Sequence, residues 1–174
     1  MGKALVAYFS VGQETAKVAK MVAGVEHADL FEIVPLVPYK PGDMEWLSKT
    51  SRVTIEQKDY FCRPKMAVPL ANAGEYDTIF LGFPIWMFDA PKIVYTFLES
   101  ISLQGRTLVP FATSGGSGRR ETDKKLQEYF RDKPVKLLPL SELNGMSRQD
   151  SLDILEGKPL ICKFPHAFPR SQCL

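Results

Sequence analysis

The sequence predicts an α/β protein: a single doubly wound, three-layer domain with a parallel sheet between two layers of helices. Three observations carry this. Short apolar runs alternate with amphipathic stretches along most of the chain. The runs are dense enough to be buried on both faces, as in parallel sheets. Each is followed by a segment with helix-start chemistry, which is the rhythm of β-α-β units.

The elements follow in order. Ala4–Phe9 is the first apolar run, and Thr15, Val18, Ala19, Val22 and Val25 repeat at helical spacing after it. Leu30–Val34 is a second strand, stopped by Pro35, Pro38 and Pro41. A helix is expected over Asp43–Ile55, with Asp43 as its cap. TIFLGF, Thr78–Phe83, is the third strand. Asp89 is placed to cap the next helix, with Pro91 at its start and Ile93, Val94, Phe97, Leu98 and Ile101 as its stripe. Thr107–Ala112 is a fourth strand, Glu121–Phe130 a helix and Val135–Leu138 a short fifth strand. Ser147 and Asp150 form a helix-start pair before Leu152, Ile154 and Leu155. The tail from Gly157 holds three prolines and two phenylalanines and fits no regular element.

Composition narrows the function. The chain has 174 residues, 45% apolar and 24% charged, with a net charge of +2. That balance suits a packed globular domain and does not call for nucleic acid as a partner. Cys62, Cys162 and Cys173 are odd in number and far apart, which speaks against a metal cage or a disulfide framework and for a reducing compartment. The first apolar run is only a strand long, so neither a signal peptide nor a membrane span is expected, and the cytoplasm is the expected location.

In doubly wound sheets, ligands sit beyond the carboxyl ends of the strands. Three loops lie there. SVGQET, Ser10–Thr15, precedes the first helix, where unpaired N–H groups and the dipole favour an anion. Its hydroxyls at Ser10 and Thr15 add donors. The competing reading is self-capping: Ser10 and Gln13 have capping-box spacing, and Glu14 satisfies the dipole. Glu14 would repel each phosphate charge by roughly 1–3 kcal/mol at about 6–8 Å. Hydrogen bonds to a charged group, at roughly 1.5–3 kcal/mol each, can outweigh this. In GFPIWMFDAP, Trp86 either offers a face to a flat ring or covers the end of the core, and the loop alone favours the cover. TSGGSG, Thr113–Gly118, offers backbone N–H groups at close approach, or is merely a turn. It is neither a Walker loop nor a dinucleotide fingerprint. Together the three loops suit a flat heteroaromatic phosphate.

These residues resemble the flavodoxin-like family, in particular its bacterial flavodoxin-related FMN-binding proteins. YFSVGQET is similar to the family's phosphate loop, usually S-x-T-G-N-T. DLFEIVPLVPY is similar to its second strand, YDTIFLGFPIWMFDAPKIVYTFLE and VPFATSGGSG to the segments bearing its two ring-flanking loops, and LNGMS to its last element. The resemblance runs from about Lys3 to Leu155, which implies a domain over residues 1–156 and an irregular tail over 157–174.

The resemblance implies five parallel strands in the order 2-1-3-4-5 and noncovalently bound FMN. By position, Ser10, Gly12, Gln13, Glu14 and Thr15 form the phosphate loop. Pro84, Ile85, Trp86 and Met87 flank the ring. Thr113, Ser114, Gly115, Gly116, Ser117 and Gly118 meet its polar edge. The departures gather in the phosphate loop: Gly12 replaces threonine, Gln13 glycine and Glu14 asparagine. Gln13 would be strained if its φ must be positive. Met87 replaces an aromatic residue.

A flavin would carry the redox chemistry, so no side chain is expected to be catalytic. The function expected is electron transfer, or NAD(P)H-dependent reduction of a quinone-like acceptor. The slightly basic charge disfavours a carrier with an acidic docking face for a redox partner protein. The alternative is a non-redox member that has lost FMN through Gly12, Gln13 and Glu14. A receiver-like signalling domain fits poorly, because the first loop has one acid and not a cluster.

Overall fold

The strand around which the rest is built is β1, Lys3–Tyr8. Leu5, Val6 and Ala7 are at most 1% exposed, so both of its faces are covered. Its backbone edges must therefore be paired on both sides. β2 (Asp29–Glu32) takes one edge, with Leu5 opposite Asp29, and β3 (Tyr76–Pro84) takes the other, with Leu5 opposite Ile79. β4 (Arg106–Thr113) lies beyond β3 and β5 (Val135–Leu137) beyond β4. Every pairing is parallel, and the order is β2-β1-β3-β4-β5, as expected. The computed structural model describes residues 2–115 and 118–143.

The fifth position is split, which the sequence reading did not foresee. β5 pairs with Arg106–Leu108, and a second piece, β6 (Ser141–Glu142), pairs with Phe111 and Ala112. Pro139 lies between them and has no N–H for a ladder.

Alternation along the strands divides the core. Leu5, Ala7, Ile79, Leu81 and Leu108 face α3 (Lys92–Ser100) and α4 (Arg119–Phe130) through Ile93, Val94, Phe97, Leu126 and Phe130. Val53 of α2 (Arg52–Lys58) joins that layer. Val6, Tyr8, Phe80, Val109 and Phe111 face α1 (Glu14–Glu26) through Ala16, Val18, Ala19 and Val22. The helices thus cover both faces, as the fold class requires.

Two expectations are corrected. No helix spans Asp43–Ile55: Pro41–Met44 is a single 3₁₀ turn, and α2 begins only after Ser51. Ser51 is the cap, its hydroxyl accepting from Thr54 N–H. Asp43 instead accepts from Lys40 N–H at 2.8 Å. Nor does Asp89 cap α3, whose N-cap is Pro91. Its carboxylate turns inward, accepting from Tyr95 Oη at 2.7 Å and Lys92 Nζ at 3.0 Å. The helix expected after Ser147 and the tail from Gly157 lie outside the described residues.

Gly82 on β3 marks the tightest approach in the sheet: a Cβ there would lie 2.4 Å from the Phe111 ring. Phe111 is 2% exposed and cannot swing out. Gly82→Ala is expected to destabilise the protein by about 1–3 kcal/mol through overpacking. Adding Phe111→Leu should recover part of that loss. Urea unfolding midpoints of the two variants test this.

Candidate functional site

β1, β3 and β4 end side by side, and the three loops singled out from the sequence meet there. Ile85 N–H donates to Thr113 C=O at 2.9 Å, extending the β3–β4 ladder by one step. Thr15 Oγ1 and Thr113 Oγ1 are 2.8 Å apart and buried, which ties the first turn of α1 to the end of β4. Of these two hydroxyls, one donates to the other, and the acceptor keeps its own hydrogen for a further bond.

The first loop is open. α1 starts at Glu14, with Gln13 as N-cap at φ 69°, and no side chain caps it. The Ser10–Gln13 capping box suggested by the spacing does not form. Ser10 Oγ is buried and has no hydrogen-bond partner among the described residues. A buried hydroxyl without a partner is costly unless something completes it. The left-handed Gln13 confirms the strain expected of a side chain at that position. Gly12 is different: a Cβ there would meet nothing within 4 Å, and its φ is not positive.

Glu14 points away. Its side chain is 71% exposed and pairs with Lys17 Nζ at 2.7 Å. Glu14 lines the cleft, with its charge compensated by a cation one turn on.

Two adjoining hollows mark the space. One, about 230 Å³, is bounded by Ser10, Gly12, Thr15 and Met44. The other, about 420 Å³, is bounded by Val18, Trp46, Ile85, Ser114 and Gly115. Their walls share Glu14, Pro84, Trp86 and Thr113. The larger is in the range of small-molecule sites, and the smaller adjoins it.

Trp86 is not an exposed platform. It is 3% exposed and packs edge-on against Phe9, Tyr39 and Trp46 at 5.3, 5.2 and 5.6 Å between centroids. The covering role favoured by the loop alone is the one observed, although the ring still lines both hollows. The half-exposed Trp46, which the sequence reading passed over, stands in the wall instead. Its signal was a lone tryptophan after the proline-rich stretch, hidden by the helix expected there.

Residues 86–89 form a two-residue turn: Trp86 N–H donates to Asp89 C=O at 2.9 Å, and Asp89 N–H to Trp86 C=O at 3.0 Å. Its central residues Met87 and Phe88 both have positive φ and are exposed. A clamp holds the turn: Gln57 Nε2 donates to Trp86 C=O at 2.9 Å and Ala90 C=O at 3.2 Å. Under Trp86, Tyr39 Oη donates to Glu56 at 2.6 Å, and the Arg52 guanidinium lies 4.0 Å over the Tyr39 ring. Burial and the Glu56 bond hold the Tyr39 phenol protonated, well above its ordinary value.

In the third loop, Ser114 Oγ donates to Glu142 Oε1 at 2.7 Å, and Gly118, at φ 102°, begins α4. A side chain at Gly118 would crowd Ile85 and Phe88. Gly116 and Ser117 lie outside the described residues.

The chain belongs to the flavodoxin family: the family model described as Flavodoxin matches residues 3–155. Solved structures agree. A candidate flavoprotein of Bacteroides uniformis is 40% identical, with 89% of this chain and 98% of that one covered, at a TM-score of 0.82. A candidate flavoprotein of Bacteroides eggerthii is 36% identical, with 90% and 97% covered, at 0.81. A flavoprotein in complex with FMN from Lactobacillus acidophilus shares the fold at 18% identity, with 82% and 93% covered and a TM-score of 0.65. A comparison with curated proteins gave no significant match. No helix among the described residues is long and apolar enough to cross a membrane.

Gln13→Gly removes the left-handed cost, roughly 1–2 kcal/mol, and adds unfolded-state entropy of about 0.4–1 kcal/mol. The variant is expected to be more stable by about 0.5–1 kcal/mol, read from chemical denaturation of the ligand-free protein.

Proposed function

We propose that this protein binds FMN in the cleft between the three loops and acts as a reductase. The observation that carries the reading is Ser10 Oγ, buried and without a partner among the described residues, beside the first turn of α1, which no side chain caps. An FMN phosphate would complete that hydroxyl and take the N–H groups at the helix start. The larger hollow then receives the ring among Trp46, Pro84, Ile85, Trp86 and Thr113–Gly115. Thr15 and Thr113 hold the two halves of the site in register.

Bound flavin would supply reversible electron and hydride uptake. The chain's own part is to bind it, orient it and shape its surroundings. Val11, Trp46, Met87 and Phe88 are all exposed at or beside the cleft. That rim suits a flat apolar acceptor of the quinone class, with NAD(P)H as donor, better than a charged protein docking face.

The opposing reading, a member that has lost FMN, draws on Gln13 at φ 69° and on Glu14 in the first turn. Titration with FMN, followed by quenching of flavin fluorescence, separates the two. Saturable quenching is expected, and Ser10→Ala should weaken it by about 10-fold or more, the value of a hydrogen bond to a charged group. Gly12→Thr should tighten it, because the added hydroxyl has room. No quenching by the native chain, together with quenching by the Gly12→Thr, Gln13→Gly, Glu14→Asn variant, would establish the loss. Anaerobic addition of NADH or NADPH to the FMN-loaded protein should bleach the flavin band. A flavin that stays oxidised with both removes the reductase assignment.

A further inference from the structure

A second cavity, about 470 Å³, lies among α2, α3 and α4 and shares no lining residue with the candidate flavin cleft. Its inner end is the Asp89–Lys92 pair, with side chains only 10% and 4% exposed. Asp89 is well supplied: Lys92 Nζ, Tyr95 Oη and Ala90 N–H all donate to it. Lys92 is not. Its ammonium has three N–H donors, and Asp89 is the one acceptor it reaches among the described residues. A second ammonium, Lys125 Nζ, stands 3.8 Å from the same carboxylate, too far for a hydrogen bond. Lys58 and Arg63 also line the space, and Arg63 is engaged by Glu99 at 2.8 Å. Glu128 is the one other carboxylate in the lining.

Apart from Gln57, whose amide is held by the Trp86 and Ala90 carbonyls, the rest of the lining is aromatic. The Tyr95 and Tyr129 rings meet edge-on at 4.9 Å between centroids. Their hydroxyls are already bound, to Asp89 and Glu99, so they present hydrocarbon to the cavity. Burial and Asp89 keep the Tyr95 phenol protonated, and burial with Glu99 does the same for Tyr129. An ion pair that served only to pin the turn at Asp89 would need neither the cavity nor the surplus cations.

We propose that this cavity binds a planar aromatic carboxylate, its acid group on Lys92 and Lys125 and its ring against Tyr95 and Tyr129. The ligand's charge offsets the excess of ammonium over carboxylate, and its ring fills the apolar remainder. The inference does not depend on flavin binding.

The test uses 2-naphthoate as probe and its neutral amide, 2-naphthamide, as comparator, titrated into the full chain by calorimetry and by amide chemical-shift mapping. The acid should bind saturably, about tenfold or more tighter than the amide, as a charge-assisted bond predicts. Shifts should gather at Asp89–Tyr95 and around Lys125. Lys125→Gln, at a solvent-exposed position, should weaken the acid and leave the amide unchanged. Equal affinity for acid and amide, an unaltered acid affinity in Lys125→Gln, shifts confined to Ser10–Thr15, or no saturation at millimolar probe would each overturn the proposal.

Discussion

The structure depends on β1 being buried on both faces and both edges. A strand whose Leu5, Val6 and Ala7 see no water must find partners on either side for every N–H and C=O. β2 and β3 supply them, and the two crossovers this requires place α1 on one face and the longer 35–75 segment on the other. The same constraint ends the strand at a fixed point. Phe9 N–H still reaches Gly82 C=O and Ile33 N–H reaches Tyr8 C=O, and the next residue, Ser10, is delivered to the sheet's carboxyl edge. The site is a consequence of where a buried strand must stop.

A second constraint acts on the turn after β3. Met87 and Phe88 both occupy the left-handed region, where bulky side chains cost about 1–3 kcal/mol each. The two-residue geometry matches the twist of the flanking segments and is normally built from Asn and Gly. Here it is held by its surroundings. Gln57 grips two carbonyls from one side, and Asp89 is fixed by Lys92 and Tyr95 from the other. The result is a rigid exposed pair, Met87–Phe88, set against Gly118 of the neighbouring loop.

The central strands were legible because their signal is local: TIFLGF and its counterparts are continuous apolar runs, and nothing distant can make them polar. The position of α2 was not. The Asp43 cap and the apolar residues after it looked helical, but Ser51 caps better and the preceding prolines favour turns. The loop alone favoured a covering Trp86, and that held, but the packing that buries it was out of reach for a different reason. It depends on Tyr39 and Trp46, some forty residues earlier, which fold over it. The Ser10–Gln13 capping box had the right spacing, and failed because Gln13 takes a left-handed φ that carries the chain away from box geometry. Spacing reports which residues can meet. The backbone conformation between them decides whether they do.

That distinction bears on Ser10–Thr15, the loop proposed to take the FMN phosphate, and on its departures from the pattern it resembles. The strain at Gln13 exists in the ligand-free fold, so it is a term in stability and not in affinity. A loop already held in its left-handed turn has its N–H groups aimed before any anion arrives, and preorganised donors lose little on binding. Glu14 is handled separately. Its partner Lys17 sits at 2.7 Å, and a close pair of opposite charges acts on a phosphate as a dipole, whose field falls off faster than that of a lone carboxylate. An exposed pair of this kind adds little to stability, but it need only turn the carboxylate's field aside. Of the three departures, the one that would bear on affinity in the proposed site is therefore Gly12, where the resembled pattern has a threonine hydroxyl and the space for it is open.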